Sequence, residues 1–225
     1  MAKSTPTTAA PVEAVQIPIG SEISLNADLR LPPDASELVV FAHGSGSSRL
    51  SRRNRQVAEF LGARRFATLL LDLLTDREEA VDNLTAEFRF DIPRIGPRVS
   101  AAVDWAASRA DLGALRVGCF GASTGAAAAL IAAADRPQRV SAVVSRGGRP
   151  DLAAAALPLV IAPTLLIVGA FDDAVIEMNR DAMRQMTAHT ELAIVPGATH
   201  LFEEPGTLGE VCDLAVDWFE RYLRN

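Results

Sequence analysis

Six short apolar runs, at residues 38–42, 68–71, 115–120, 140–144, 164–168 and 192–195, alternate along this chain with segments of helical spacing at 53–63, 98–110, 123–135, 175–188 and 207–223. Runs this short and this uniformly apolar read as strands buried on both faces. Five successive alternations leave few architectures: a mostly parallel sheet with helices on both faces, wound by right-handed crossovers. Ahead of them, residues 15–17 and 23–31 alternate apolar and polar about the turn Ile19-Gly20-Ser21, predicting an antiparallel pair on one edge. The fold class is therefore α/β, an eight-stranded sheet whose ligands bind at the carboxyl ends of its strands. One domain is expected over residues 15–225, and residues 1–14, rich in Thr, Pro, Ala and Ser without period, read as a flexible tail. The longest irregular stretch, 74–96, is expected to be partly helical or to line the site, since structureless loops of that length are uncommon.

Of 225 residues, 49% are apolar and 22% charged, an ordinary globular balance that excludes a disordered chain. The 22 basic and 28 acidic residues leave a formal charge of -6, which offers no footprint for nucleic acid or an anionic membrane. Cys119 and Cys212 form no CxxC and no Cys/His cluster, so no disulfide framework, metal site or cofactor is expected. The N-terminal stretch lacks the apolar core of a secretory signal, and no apolar run approaches the roughly 20 residues of a membrane span. These features predict a cytoplasmic protein with a small-molecule substrate, acting as a monomer or small homo-oligomer.

The run at 115–120 leads straight into Gly121-Ala122-Ser123-Thr124-Gly125 and an Ala-rich helix. This is G-x-S-x-G in a strand-turn-helix setting, where a sharp turn exposes the Ser above the sheet. No Lys follows the glycines, which argues against a phosphate loop. A serine hydroxyl needs a base oriented by a carboxylate. His200, in the loop after the last strand, is the candidate base; His189 reads as a solvated residue at a helix end. The acid belongs between Ser and His in sequence, and Asp172 is the first carboxylate past the run at 164–168, with Asp173 as the fallback or a helix cap. Two backbone N–H groups must hold the oxyanion. Thr124 supplies one and the loop His43-Gly44-Ser45-Gly46 the other, through Ser45.

The order Ser123, Asp172, His200 is that of α/β-hydrolases. With HGSGSS from His43, RFDI from Arg89, GASTG, SRGGRPDLA from Ser145 and GATHLFEEPG from Gly197, the chain resembles the dienelactone hydrolase-like group of that fold. It is similar to a subgroup found joined to phosphoribosyltransferase domains, although no second domain fits within this chain. The resemblance runs from the second strand to Tyr222. Dienelactone hydrolases proper use a cysteine nucleophile where this chain has Ser123, so what it implies is the fold and ester-hydrolase chemistry without a named substrate.

Between the runs at 140–144 and 164–168, where lids are commonly inserted, lies only a short Ala-rich segment, so no cap domain is expected. An open site favours short-chain esters, lactones or thioesters. The same acyl-enzyme could serve an acyltransferase, and the fold could persist as a binding protein without turnover. Arg49, Arg52, Arg53 and Arg55 crowd a helix N-terminus, where the macrodipole disfavours cations. Pairing with Asp76, Glu78 and Glu79, or plain solvation, would offset that. So would an anionic substrate group, with His43, Arg49, Arg146 and Arg149 as candidate substrate contacts. Cys119, the methionines at 178, 183 and 186, Trp105 and Trp218 read as packing residues.

Overall fold

A computed structural model describes residues 10–224. Eight strands form one sheet: β1 (Val12–Ile19), β2 (Ile23–Arg30), β3 (Glu37–Ala42), β4 (Ala67–Leu71), β5 (Arg116–Ala122), β6 (Val140–Arg146), β7 (Thr164–Gly169) and β8 (Thr190–Val195). Their spatial order is β1-β2-β4-β3-β5-β6-β7-β8. β1 pairs antiparallel with β2 and β2 with β4, and every later pair is parallel. The strands from β3 to β7 are almost wholly buried, as their unbroken apolar runs require.

Six helices complete the fold: α1 (Arg52–Ala63), α2 (Asp76–Thr85), α3 (Ile92–Ser108), α4 (Thr124–Asp135), α5 (Asp173–Met183) and α6 (Thr207–Leu223). On one face of the sheet α3, α4 and α5 share a core with a 3-10 helix, Pro150–Leu159, that fills the connection from β6 to β7. On the other face α1 and α6 bury Val57, Leu61, Val211, Val216 and Phe219. The Ala-rich α4 packs closely against β3. A Cβ on its Gly125 would meet the Ala42 carbonyl oxygen at 2.4 Å, so the helix can start only with a glycine against β3.

Two boundaries depart from expectation, at β1 and α5, while the stretch 74–96 is partly helical as expected. β1 begins at Val12, so Val12, Glu13 and Ala14 belong to a strand and not to a tail; residues 10 and 11 precede it without regular structure, and residues 1–9 of that expected tail lie outside the described residues. The stretch 74–96 contains all of α2, closed at its start by a capping box of Thr75 and Glu78, and the first turn of α3, where the Asp91 carboxylate accepts from the Arg94 N–H. α5 stops at Met183, so His189 sits in the turn before β8, stacked 5.8 Å from Trp218 and 2.9 Å from the Glu191 carboxylate. Both cysteines are free and buried, and burial pushes the Cys119 thiol up to about 12 and Cys212 to about 11.

Candidate active site

Ser123 occupies the single residue between β5 and α4, with φ 50° and ψ -120°. A non-glycine residue there stores roughly 1–3 kcal/mol of strain. Its neighbours hold it: the Ser123 N–H donates to the Arg146 carbonyl at 3.1 Å, and the Ser123 carbonyl accepts from the Arg149 N–H at 3.1 Å. Two main-chain bonds of about 1 kcal/mol each are enough to offset much of that cost. The segment after β6 thus grips both backbone groups of the elbow.

His200 stands over it. Its Nε2 lies 3.3 Å from Ser123 Oγ, and its Nδ1 lies 2.6 Å from Asp172 Oδ2. A carboxylate on Nδ1 places the ring proton there, which leaves Nε2 free to accept from the serine hydroxyl. Asp172 is the N-cap residue of α5 yet spends no oxygen on capping, while Asp173 is exposed in the first turn. The arrangement therefore joins Asp172, not its fallback, to His200. Gly147 at φ 52° completes the enclosure, since a Cβ would come within 3.0 Å of the His200 carbonyl oxygen.

The loop after β3 passes directly beside the elbow. A Cβ at Gly44 would sit 3.1 Å from Ser123 Cβ, and Gly46 turns at φ 66° as the Ser47 N–H reaches the Gly44 carbonyl. His43 Nε2 accepts from the Leu73 N–H at 3.0 Å and its Nδ1 donates to the Gly44 carbonyl at 2.8 Å. Both ring nitrogens are thereby used on main chain, so His43 shapes the loop and has none left for a ligand, contrary to the expected substrate contact. Burial holds its pKa below the ordinary histidine value, against the opposing pull of the Gly44 carbonyl and Asp72. Asp72 ties the loop from the other side, accepting from the Arg49 N–H at 2.6 Å and from its guanidinium. Thr124 is buried and opens α4, where the first N–H groups have no intrahelical acceptor. Ser45 and Thr124 both line a cleft walled further by Leu73, Leu74, Asp82 and Arg89.

The arginines do not act as a set. Arg49 pairs with Asp28 and Asp72, Arg55 with Asp28, Arg53 with Glu203, and Arg149 with Asp151. The carboxylates expected to meet them are elsewhere. Glu78 is taken by Arg94 and Arg98, because α1 starts beside β2 and not beside α2. Arg49 and Arg149 are thus committed within the protein. The buried Arg146 has no carboxylate partner among the described residues, and burial, together with Arg53, lowers its pKa to about 10. Sequence reasoning missed Asp72 and also Asn179, a fully buried side chain on α5 that donates to the Gly148 carbonyl at 3.0 Å. Among the described residues no group of three or more His, Cys, Asp or Glu could hold a metal ion, and no helix is long and apolar enough to cross a membrane.

Comparison with known proteins agrees with this layout. The model of the dienelactone hydrolase family matches residues 67–223. A dienelactone hydrolase from Anabaena variabilis is 54% identical, with a TM-score of 0.94 over 96% of this chain and 100% of its own. A Mycobacterium tuberculosis protein, provisionally named a phosphoribosyl transferase, is 52% identical over 94% of this chain and 46% of its own length. The chain therefore spans about half the length of the curated relatives it matches. The protein Est1E from Butyrivibrio proteoclasticus, at 18% identity and a TM-score of 0.76, shares the fold.

Proposed function

The chain belongs to the dienelactone hydrolase family, a family of hydrolases, and from that premise we propose that it is a serine-dependent hydrolase of small carboxylic esters. The observation that carries this reading is the unbroken line Asp172, His200, Ser123 at 2.6 and 3.3 Å. His200 Nε2 takes the Ser123 proton as Oγ attacks the ester carbonyl carbon. The oxyanion so formed accepts from the Ser45 and Thr124 N–H groups. Collapse breaks the bond to the alcohol, which leaves with the proton from His200. A water then gives a proton to the same imidazole, attacks the acyl-enzyme and releases the acid with Ser123 restored. The reaction uses no metal or organic cofactor, and its substrate is a short-chain ester, lactone or thioester in the cytoplasm.

The His200 side chain is 37% exposed, which gives water access to the imidazole and supports water as the acceptor. The transferase name of the mycobacterial relatives belongs to proteins more than twice this length. Labelling with a fluorophosphonate, followed by a panel of short acyl nitrophenyl esters, tests the reading. Ser123→Ala is expected to abolish both labelling and turnover while the fold persists, since no core cavity is made. Near-wild-type turnover in that variant would remove Ser123 from the reaction, and labelling without turnover would favour acyl transfer or binding alone.

A further inference from the structure

Arg146 ends β6 on the sheet face that α1 and α6 cover. It is 6% exposed, with its guanidinium carbon 5.9 Å from the centre of the Phe202 ring. Among the described residues its side chain makes one hydrogen bond, from Nη2 to Asn54 Oδ1 at 3.4 Å, while Nε is buried and without a partner. Arg53 brings a second cation to the same place. Its Nε is likewise buried and unpartnered, and its ion pair, Nη1 to Glu203 Oε1 at 2.7 Å, is made to an exposed side chain. The first turn of α1, which carries Arg53 and Asn54, holds no acidic residue, so the free N–H groups at that helix start add to the positive field.

Two guanidinium groups, one of them buried, therefore converge with less negative charge than they need. A buried charge is costly unless paired. The other two arginines expected at the substrate already have carboxylates: Arg49 has two and Arg149 has one. We propose that Arg146, Arg53 and Asn54 form a seat for a small oxyanion, a carboxylate or phosphate group, beside the loop that carries His200. The planar forks of the two arginines suit a two-oxygen acceptor, and the Phe202 ring floors the site. The anion enters at Arg53, the more exposed of the pair, and competes with Glu203 for it. The seat is separate from the oxyanion loop, and none of its three residues lines the cleft beside Ser45. It adjoins the catalytic geometry through Gly147, which packs on His200, and Phe202, two residues further along.

Binding is measured in the Ser123→Ala protein, so the outcome does not depend on turnover. Inorganic phosphate and acetate are titrated separately by calorimetry at constant ionic strength, with chloride as the balancing ion, and thermal unfolding is followed in parallel. Saturable binding of one anion per chain is expected, with a midpoint temperature that rises with its concentration. Arg146→Met and Arg53→Met should each weaken it about tenfold or more, as loss of a charge-assisted contact implies. Arg136→Met, which removes a surface cation paired with Asp104, should leave it unchanged. Tighter phosphate or tighter acetate identifies the group the seat prefers. Absence of saturable binding for both anions, equal binding in both Met variants, or equal loss in Arg136→Met overturns the proposal. If Arg146→Met does not fold, Arg53→Met on the more exposed α1 carries the test.

Discussion

Two adjacent carboxylates, Asp172 and Asp173, part company at one helix start. The first holds His200 and the second faces solvent. Asp172→Asn is expected to lower kcat by about 10⁴-fold through loss of the orienting charge, and Asp173→Asn to change it little; steady-state kinetics on one ester decides, and reversed effects would move the acid by one residue. His43 carries a different prediction. Its folded pKa is depressed, so its neutral form contributes stability that is full above the free value of 6.5 and lost as pH falls below it. A proton on Nε2 would also oppose the Leu73 N–H. The melting temperature should drop between about pH 7.5 and 5.5, and His43→Gln should flatten that drop. Ser123, Asp172 and His200 were legible because each sits on a loop that follows an apolar run, in an order that has meaning by itself. Asp72 and Asn179 were not, since an isolated Asp after a strand or Asn in a helix acquires its role only from what folding brings against it.

At the scale of elements, α2 and α3 show how a weak pattern conceals a strong anchor. Asp76-Arg-Glu-Glu79 offers little apolar period, and Pro93, Gly96 and Pro97 blur the start of α3, so the sequence showed an excursion where two helices meet. The overlooked sign was Thr75 with Glu78 three residues later, a start signal that does not depend on apolar spacing. The buried Arg98 joins the two helices, donating to both Glu78 oxygens at 2.7 Å and to the Leu73 carbonyl at 2.6 Å. Burial pushes the Glu78 carboxyl up, but the bonds from Arg98 and Thr75 outweigh it and hold the group at about 2. Arg98→Met should cost about 2 kcal/mol in urea unfolding by removing the buried one of Glu78's two arginine partners, with Arg94 remaining. Because the folded pKa is depressed, this contribution is present above about 4.5 and disappears as pH falls towards 2, so the deficit of the variant should shrink over that window.

Across the whole molecule, the alternation of runs and periodic segments carried the architecture, and the antiparallel pair at the edge was visible in its period of two. Spatial order was not legible, because a chain of βα units states which strands are parallel but not which neighbour each one finds. That order has a cost for the site. Ser123 leaves β5, which is paired on both sides, whereas His200 follows β8, the last strand, bonded only to β7 and with most of its residues at least partly exposed. Edge strands of this kind open at lower free energy than the core does. Amides of β8 should exchange with deuterium faster than those of β5, and ester turnover should fall at a lower urea concentration than the loss of circular dichroism; coincident transitions would show that the sheet yields as one body. On this reading the working lifetime of the catalyst is set by the fraying of a single edge, long before the fold around it melts.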